Sequence, residues 1–285
     1  GLDADGYSRV GDSQARFADG SVDGWIERVD RLHADDGQII GAAVHSVRAV
    51  DPGAVAAVAE WADQRGAPVH AHVSEQTIEN DQCRAFHKAS PVQVFHDAGV
   101  LGERFTAVHA THIEDRDVEL LADSGASVCL CPTTERDLGD GIAEASAWRA
   151  AGIPITLGSD SHAVIDHFVE ARSVEFHERL RSHHRGIHSA IELLSMATGG
   201  HASIGWPDVG TIAAGMRADL VAVDVGSVRG AGGSSENALE TVVFTATAAD
   251  VTDVVIGGRH IVRDGRHQLD VAGDLEASIS ALMDT

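Results

Sequence analysis

A parallel α/β sheet is the fold class that this 285-residue sequence predicts, and three observations lead to it. Short apolar runs alternate with stretches at helical spacing between residues 38 and 182, giving roughly five strand–helix units. The runs are apolar along their length, as strands covered on both faces are. Residues capable of chemistry close them one after another: His45, His72 with Glu75, His109 and Asp160. Strands that alternate with helices form parallel sheets through right-handed crossovers. A (β/α)8 barrel and a doubly wound open sheet both place ligands at those carboxyl ends. A closed barrel takes eight units in about 250 residues, so a barrel here is incomplete.

The first strand, Ile39 to Val44, ends at His45, and a helix from Pro52 to Arg65 follows. Pro68 to Val73 is the second strand, then a partly helical segment runs from Thr77 to Gly99. Phe105 to His109 is the third strand and Asp115 to Ser124 its helix. Ala126 to Cys131 and a helix from Gly141 to Ala151 make the fourth unit. Ile153 to Gly158 is the fifth strand, followed by a helix from Asp166 to Arg181 and another from Ser189 to Gly200. Beyond Val209 the pattern becomes short β-strands at Gly210–Ile212, Asp219–Val223, Val254–Ile256 and His260–Val262. Gly257-Gly258 reads as the turn joining the last two, and Gly226 to Glu236 as a flexible loop.

Composition removes several classes. Lys plus Arg is 21 against 44 Asp plus Glu, a net charge of −23, and Lys88 is the only lysine. Such a chain has no general attraction for nucleic acid or anionic lipid. No apolar run is long enough to cross a bilayer, and three cysteines do not make a disulfide scaffold. Free cysteines and the absence of a basic–apolar leader favour the cytoplasm. Phosphate-cradling glycine loops and a Gly-x-Ser-x-Gly elbow are absent. Histidine is in surplus, at 17 residues, which points to metal or proton-transfer chemistry if positions agree.

The positions do agree. In His72-Val73-Ser74-Glu75 a histidine can ligate a metal, and a glutamate just beyond can carry a proton to a leaving group. Two hydrogen-bonded strand histidines, His70 and His72, are the plainer alternative. His109 in His109-Ala110-Thr111-His112 can polarise a substrate, or be a satisfied core residue. Asp160 closes a buried strand, where a carboxylate is costly unless paired or metal-bound; capping the next helix is the alternative. Convergence at the ends of three separate strands favours a site. His45 and Arg48, three residues apart, suit an anion, since a guanidinium fork fits a carboxylate; a surface arginine paired with a neighbouring acid is the alternative. Cys129 and Cys131 share one strand face and read as small buried apolar residues.

These residues together resemble the amidohydrolase superfamily, in its mononuclear zinc deaminase branch, and within it the formimidoylglutamate deiminases. The resemblance rests on His70-Ala71-His72-Val73-Ser74-Glu75-Gln76, Val108 to His112, Thr134 to Ile142, Gly158 to His162, His45 to Val50 and the closing Gly258 to His267. It implies an incomplete TIM-type barrel over residues 1–205. Residues 206–285 would supply part of a small β-sandwich domain. It implies one zinc ion per subunit, with another divalent metal possible, held in part by His72 and Asp160. Glu75 would move protons, His109 would orient or stabilise the attacking hydroxide and the tetrahedral intermediate, and His45 and Arg48 would hold an acidic substrate. The implied reaction releases ammonia from N-formimidoyl-L-glutamate to give N-formyl-L-glutamate, a step of histidine degradation. A homodimer is common in such enzymes.

One departure stands out. The superfamily draws two more ligands from a His-x-His on the first barrel strand, and His70-x-His72 lies on the wrong strand to be it. We therefore expect a fragment of a longer protein, inactive alone. Two alternatives stand beside this reading. One is a related deaminase acting on a purine-like ring, against which Arg48 and the 4% aromatic content speak. The other is a non-catalytic barrel relic.

Overall fold

The computed structural model describes residues 1–12 and 14–283. Its centre is a five-stranded parallel sheet in sequential order. A short hairpin, β1 (Leu2–Asp3) and β2 (Gly6–Tyr7), and helix α1 (Val22–Val29) precede it. The sheet strands are β3 (Ala42–Val44), β4 (Val69–Val73), β5 (Phe105–His109), β6 (Ser127–Leu130) and β7 (Ile155–Leu157). Helices α2 (Pro52–Arg65), α3 (Thr77–His87), α4 (Pro91–Asp97), α5 (Asp115–Ser124), α6 (Pro132–Leu138) and α7 (Ala145–Ala150) fill the crossovers. Helices α8 (His167–Ser182) and α9 (Ala190–Thr198) follow β7.

The register shows which face is which. Ala42, Val69 and Phe105 align, as do Ala71, Ala107, Val128 and Ile155; these buried residues face the helices. The other face carries Ala43, His70, His72, Val108, Cys129 and Thr156. Strands β3 and β7 each have one neighbour in the sheet. A sheet of five parallel strands with helices on one face and edges unpaired is a partial (β/α)8 barrel. Its core is built on Phe95, Phe105, Leu121 and Leu193, all fully buried.

The caps explain where the helices start. Asp51 accepts from Gly53 N and Ala54 N ahead of Pro52 in α2, and Gly66 ends that helix at φ 60°. Ser189 and Glu192 form a reciprocal capping box on α9, and Arg149 Nη2 donates to Glu192 Oε1 at 2.6 Å. The Ser189 amide and hydroxyl, with Arg149, hold the Glu192 carboxyl at about 2, below its usual 4.5. A lowered carboxylate contributes stability above its unfolded value, and this is lost as pH falls through the folded value. Glu192→Gln is therefore expected to cost on the order of 1 kcal/mol at pH 7. In urea titrations the gap from wild type should shrink as pH falls from 4.5 toward 2. A pH-independent gap would contradict the account.

The C-terminal part forms a second sheet, antiparallel, from β8 (Leu220–Val223), β9 (Val251–Ile256), β10 (Arg259–Arg263) and β11 (Arg266–His267). Gly257 and Gly258 join β9 to β10 with φ of 55° and 78°, a two-residue turn that needs positive φ at both positions. Helix α10 (Ala238–Thr245) packs on α8 and α9, where Arg172 Nη1 donates to Ala246 O at 2.7 Å; α11 (Val271–Met283) closes the described chain.

Four sequence expectations shift. Gly210–Ile212 is no strand: it is bent, irregular chain, with Ile212 88% exposed. The helix expected over Gly141–Ala151 is shorter, Ala145–Ala150, and α6 precedes it unforeseen, because Pro132 ends the strand and starts a helix in one residue. The segment Thr77–Gly99 is two helices, parted where Lys88 turns left-handed and Ser90-Pro91 begins anew. The glycine-rich loop at 226–236 is also tied down, Arg229 donating to Asp250.

Candidate active site

The carboxyl ends of β3, β4 and β5 bring three imidazoles into a row. The His45 ring meets His72 edge-on at 5.3 Å, and His72 stacks on His109 at 5.5 Å and 13°. The strand pattern alone would not do this. His109 aligns with Val73, whose side chain faces the helices, whereas His72 lies on the opposite face. His109 leaves the strand with φ 68° and Ala110 continues at 54°, and the ring comes to rest against His72. Ser74, φ 49°, and Asp160, φ 46°, are left-handed at the ends of β4 and β7. Non-glycine residues there store about 1–3 kcal/mol each, and such strain gathers at functional sites.

Each ring has a defined orientation. His72 Nδ1 lies 2.8 Å from the His45 carbonyl; a carbonyl only accepts, so Nδ1 carries the hydrogen and Nε2 keeps its lone pair. His109 is fully buried, with Nδ1 3.3 Å from Glu135 Oε1 and Nε2 without a partner among the described residues. Burial works against its charged form, but Glu135, then Glu75 and Asp160, outweigh it and raise its pKa above 6.5. His45 lies at the exposed rim, its Nδ1 2.9 Å from Ser46 Oγ. Burial, then the neighbouring His72 and Arg48, push its pKa down.

Glu75 is 7% exposed and in close contact with Arg48 Nη2 through Oε2. Arg48 Nε also lies 3.6 Å from Glu79, a carboxylate on α3 that is fully buried. Burial drives the Glu79 pKa up, with Arg48 pulling it back. Arg48 is thus half of a buried ion network rather than a free rim charge. Asp140 is a further buried carboxylate: Gln76 Nε2 donates to its Oδ1 at 3.2 Å, and Oδ2 has no partner among the described residues. Burial raises its pKa, and Glu75 adds to the rise.

Among the described residues, His109, Cys131 and Glu135 offer three ligand-type atoms within 4.8 Å of one another. Two observations favour a hydrogen-bond network there. Glu135 Oε1 already accepts from Cys131 N at 2.7 Å as well as facing His109. The contact with Cys129, then burial, push the Cys131 thiol far above its usual range, against the thiolate a metal requires. Glu135, Glu79 and Asp140 carry no role in the sequence reading. The one signal for Glu135 was a carboxylate four residues beyond a strand-end cysteine. A cavity of about 580 Å³ opens at the other end of the sheet, lined by Ser127, Ile155 and Met196. It touches none of these groups.

Comparison with known proteins gives this arrangement its class. Residues 17–261 match the profile of the Amidohydrolase family, and the chain belongs to that family. A formimidoylglutamate deiminase of Pseudomonas aeruginosa is 35% identical over 274 residues, which is 92% of this chain and 60% of that protein. A 5-methylthioadenosine/S-adenosylhomocysteine deaminase of Nitratidesulfovibrio vulgaris is 30% identical over 226 residues, covering 78% of this chain and 51% of that protein. The crystal structure of an adenosine deaminase from Xanthomonas campestris with bound zinc superposes with a TM-score of 0.84 at 28% identity. That match covers 90% of this chain and 61% of the deaminase. The chain therefore spans 51% to 61% of the length of these relatives. No helix among the described residues is long and apolar enough to cross a membrane.

Proposed function

We propose that the protein carrying this chain is a metal-dependent hydrolase that releases ammonia from N-formimidoyl-L-glutamate. The observation that carries this is the joint placement of His45, His72, His109 and the Arg48–Glu75 pair at one end of the sheet. The similarity to a formimidoylglutamate deiminase supports the substrate. We read residues 1–205 as barrel and 206–285 as part of the small domain, and the cytoplasm as the compartment.

The donor set fits zinc. His72 offers Nε2 with Nδ1 fixed by a carbonyl, the usual arrangement of a ligating histidine, and Asp160 offers a carboxylate. These are two of the four ligands that such a site takes. Zinc, when bound, supplies a Lewis acid that acidifies the attacking water.

The chain's own residues do the rest. Water adds its oxygen to the formimino carbon, the bond from that carbon to the terminal nitrogen breaks, and the nitrogen leaves as ammonia. Glu75 takes the two protons of the water in turn and passes both to that nitrogen, the second as the carbon–oxygen double bond forms; with Oε2 held by Arg48, the carboxylate keeps one orientation. His109 Nε2, the free end of a ring fixed at Nδ1, hydrogen-bonds the developing charge on oxygen. Arg48 Nη1 has no partner among the described residues, and with His45 at the rim it receives a substrate carboxylate.

Ammonia release by the full-length protein tests the reading. Chelation is expected to stop it and added zinc to restore it; turnover that survives complete metal removal would sink the proposal.

A further inference from the structure

The segment Thr133-Thr134-Glu135 opens α6 directly after β6, and all three residues are buried. Each reaches a different element. Thr133 donates to Glu170 on α8, its amide at 3.1 Å to Oε2 and its hydroxyl in close contact with Oε1; Glu170 is itself fully buried. Thr134 Oγ1 donates to Ser159 O at 2.8 Å and accepts from His162 N at 3.0 Å, so one hydroxyl bridges both sides of Asp160. Glu135 Oε1 accepts from Cys131 N at 2.7 Å and faces His109 Nδ1 at 3.3 Å. Asp137, one turn on, bonds His162 Nδ1.

Neither His109 nor Asp160 can hold its place by strand geometry. Both are left-handed residues just where their strands end, at φ 68° and 46°, and such conformations persist only when neighbours fix them. The α6 turn supplies those neighbours for both. Glu135 leaves His109 with a single free ring nitrogen, the buried and unpartnered Nε2.

We propose that the Thr133-Thr134-Glu135 turn is a positioning device, with Glu135 fixing the His109 ring and Thr134 bracing the Asp160 loop. The inference rests on His109 acting at the reacting atoms, as in the proposed function. Glu135 is a positioning residue, not a catalytic one, because it reaches the reaction only through His109.

The test uses the full-length, zinc-loaded protein with Glu135→Gln, Glu135→Asp and Thr134→Val. Loss of a group that orients an active-site residue costs roughly 10–100-fold. Glu135→Gln should lower kcat by that factor with KM within about twofold and zinc retained. Glu135→Asp, which keeps the charge, should recover part of the loss. Thr134→Val should lower zinc occupancy, through the Asp160 loop, more than Glu135→Gln does. Unchanged kcat, or parallel loss of kcat, zinc and folded protein in all three variants, would overturn the proposal. So would loss of a second zinc equivalent on Glu135→Gln, which would make the group a metal site.

A substrate-free measurement separates this from the substrate reading. In 15N-histidine spectra, the His109 signal, identified by its loss in His109→Gln, should shift in Glu135→Gln. An unshifted signal overturns the positioning role even if the substrate is right. A shifted signal supports it even if N-formimidoyl-L-glutamate is not turned over.

Discussion

Glu75→Gln is expected to lower kcat for ammonia release by roughly 10²–10⁴-fold while the protein keeps its metal, the range for losing a positioned acid–base group. The substitution isolates the proton because it alters little else. Glutamine has the same shape, and its oxygen can still accept from Arg48 Nη2, the contact that Glu75 makes now. The side chain is nearly buried, so bulk water does not replace it readily. Metal content and the unfolding midpoint check that nothing else moved. Full turnover in this variant would remove Glu75 from the chemistry and leave the His72–His109 pair without a proton carrier.

Arg48→Met is expected to act in two separable ways. At the active site, losing a charge-assisted hydrogen bond to a substrate carboxylate should raise KM on the order of 10–100-fold, and freeing Glu75 Oε2 should lower kcat with it. The same change leaves the fully buried Glu79 without its cation, at about 2 kcal/mol of stability. The second effect has a sign in pH. A carboxyl whose folded pKa is raised contributes stability below its ordinary 4.5 and loses it as pH rises through the folded value. Without Arg48 that value climbs further, so wild type and variant should match in acid and diverge toward neutrality. Adding Glu79→Gln should restore stability at pH 7 but not KM. If the double variant recovers both, Arg48 is structural only.

Much of this was legible in the sequence, for a physical reason. Parallel strands buried in a barrel wall read as largely apolar runs, so β5, β6 and β7 stand out, while β4 alternates Val69, Ala71 and Val73 with two histidines, and polar residues that end the strands are conspicuous. His45, His72, Glu75 and His109 come from that pattern, and the structure places them together. What stayed hidden depends on contacts distant in sequence. Glu79 as a partner of Arg48 spans 31 positions and joins α3 to the segment that follows β3. Glu135 stayed hidden because Pro132 reads as the end of a strand, and the helix it starts has only about two turns to show itself. The left-handed pair His109-Ala110 has little local cause, since histidine takes positive φ only occasionally and alanine rarely. The strand expected at Gly210–Ile212 failed the other way: two β-branched residues beside glycine suggested pairing where no partner strand runs.

The most direct measurement is ammonia release by the full-length, zinc-loaded protein from N-formimidoyl-L-glutamate, run beside 5-methylthioadenosine. Release from the formimino compound alone, with wild-type KM lost in Arg48→Met, is the result this account predicts. Release from the nucleoside alone would contradict it, keeping the fold and the imidazole row but giving the Arg48–Glu75 pair a different substrate.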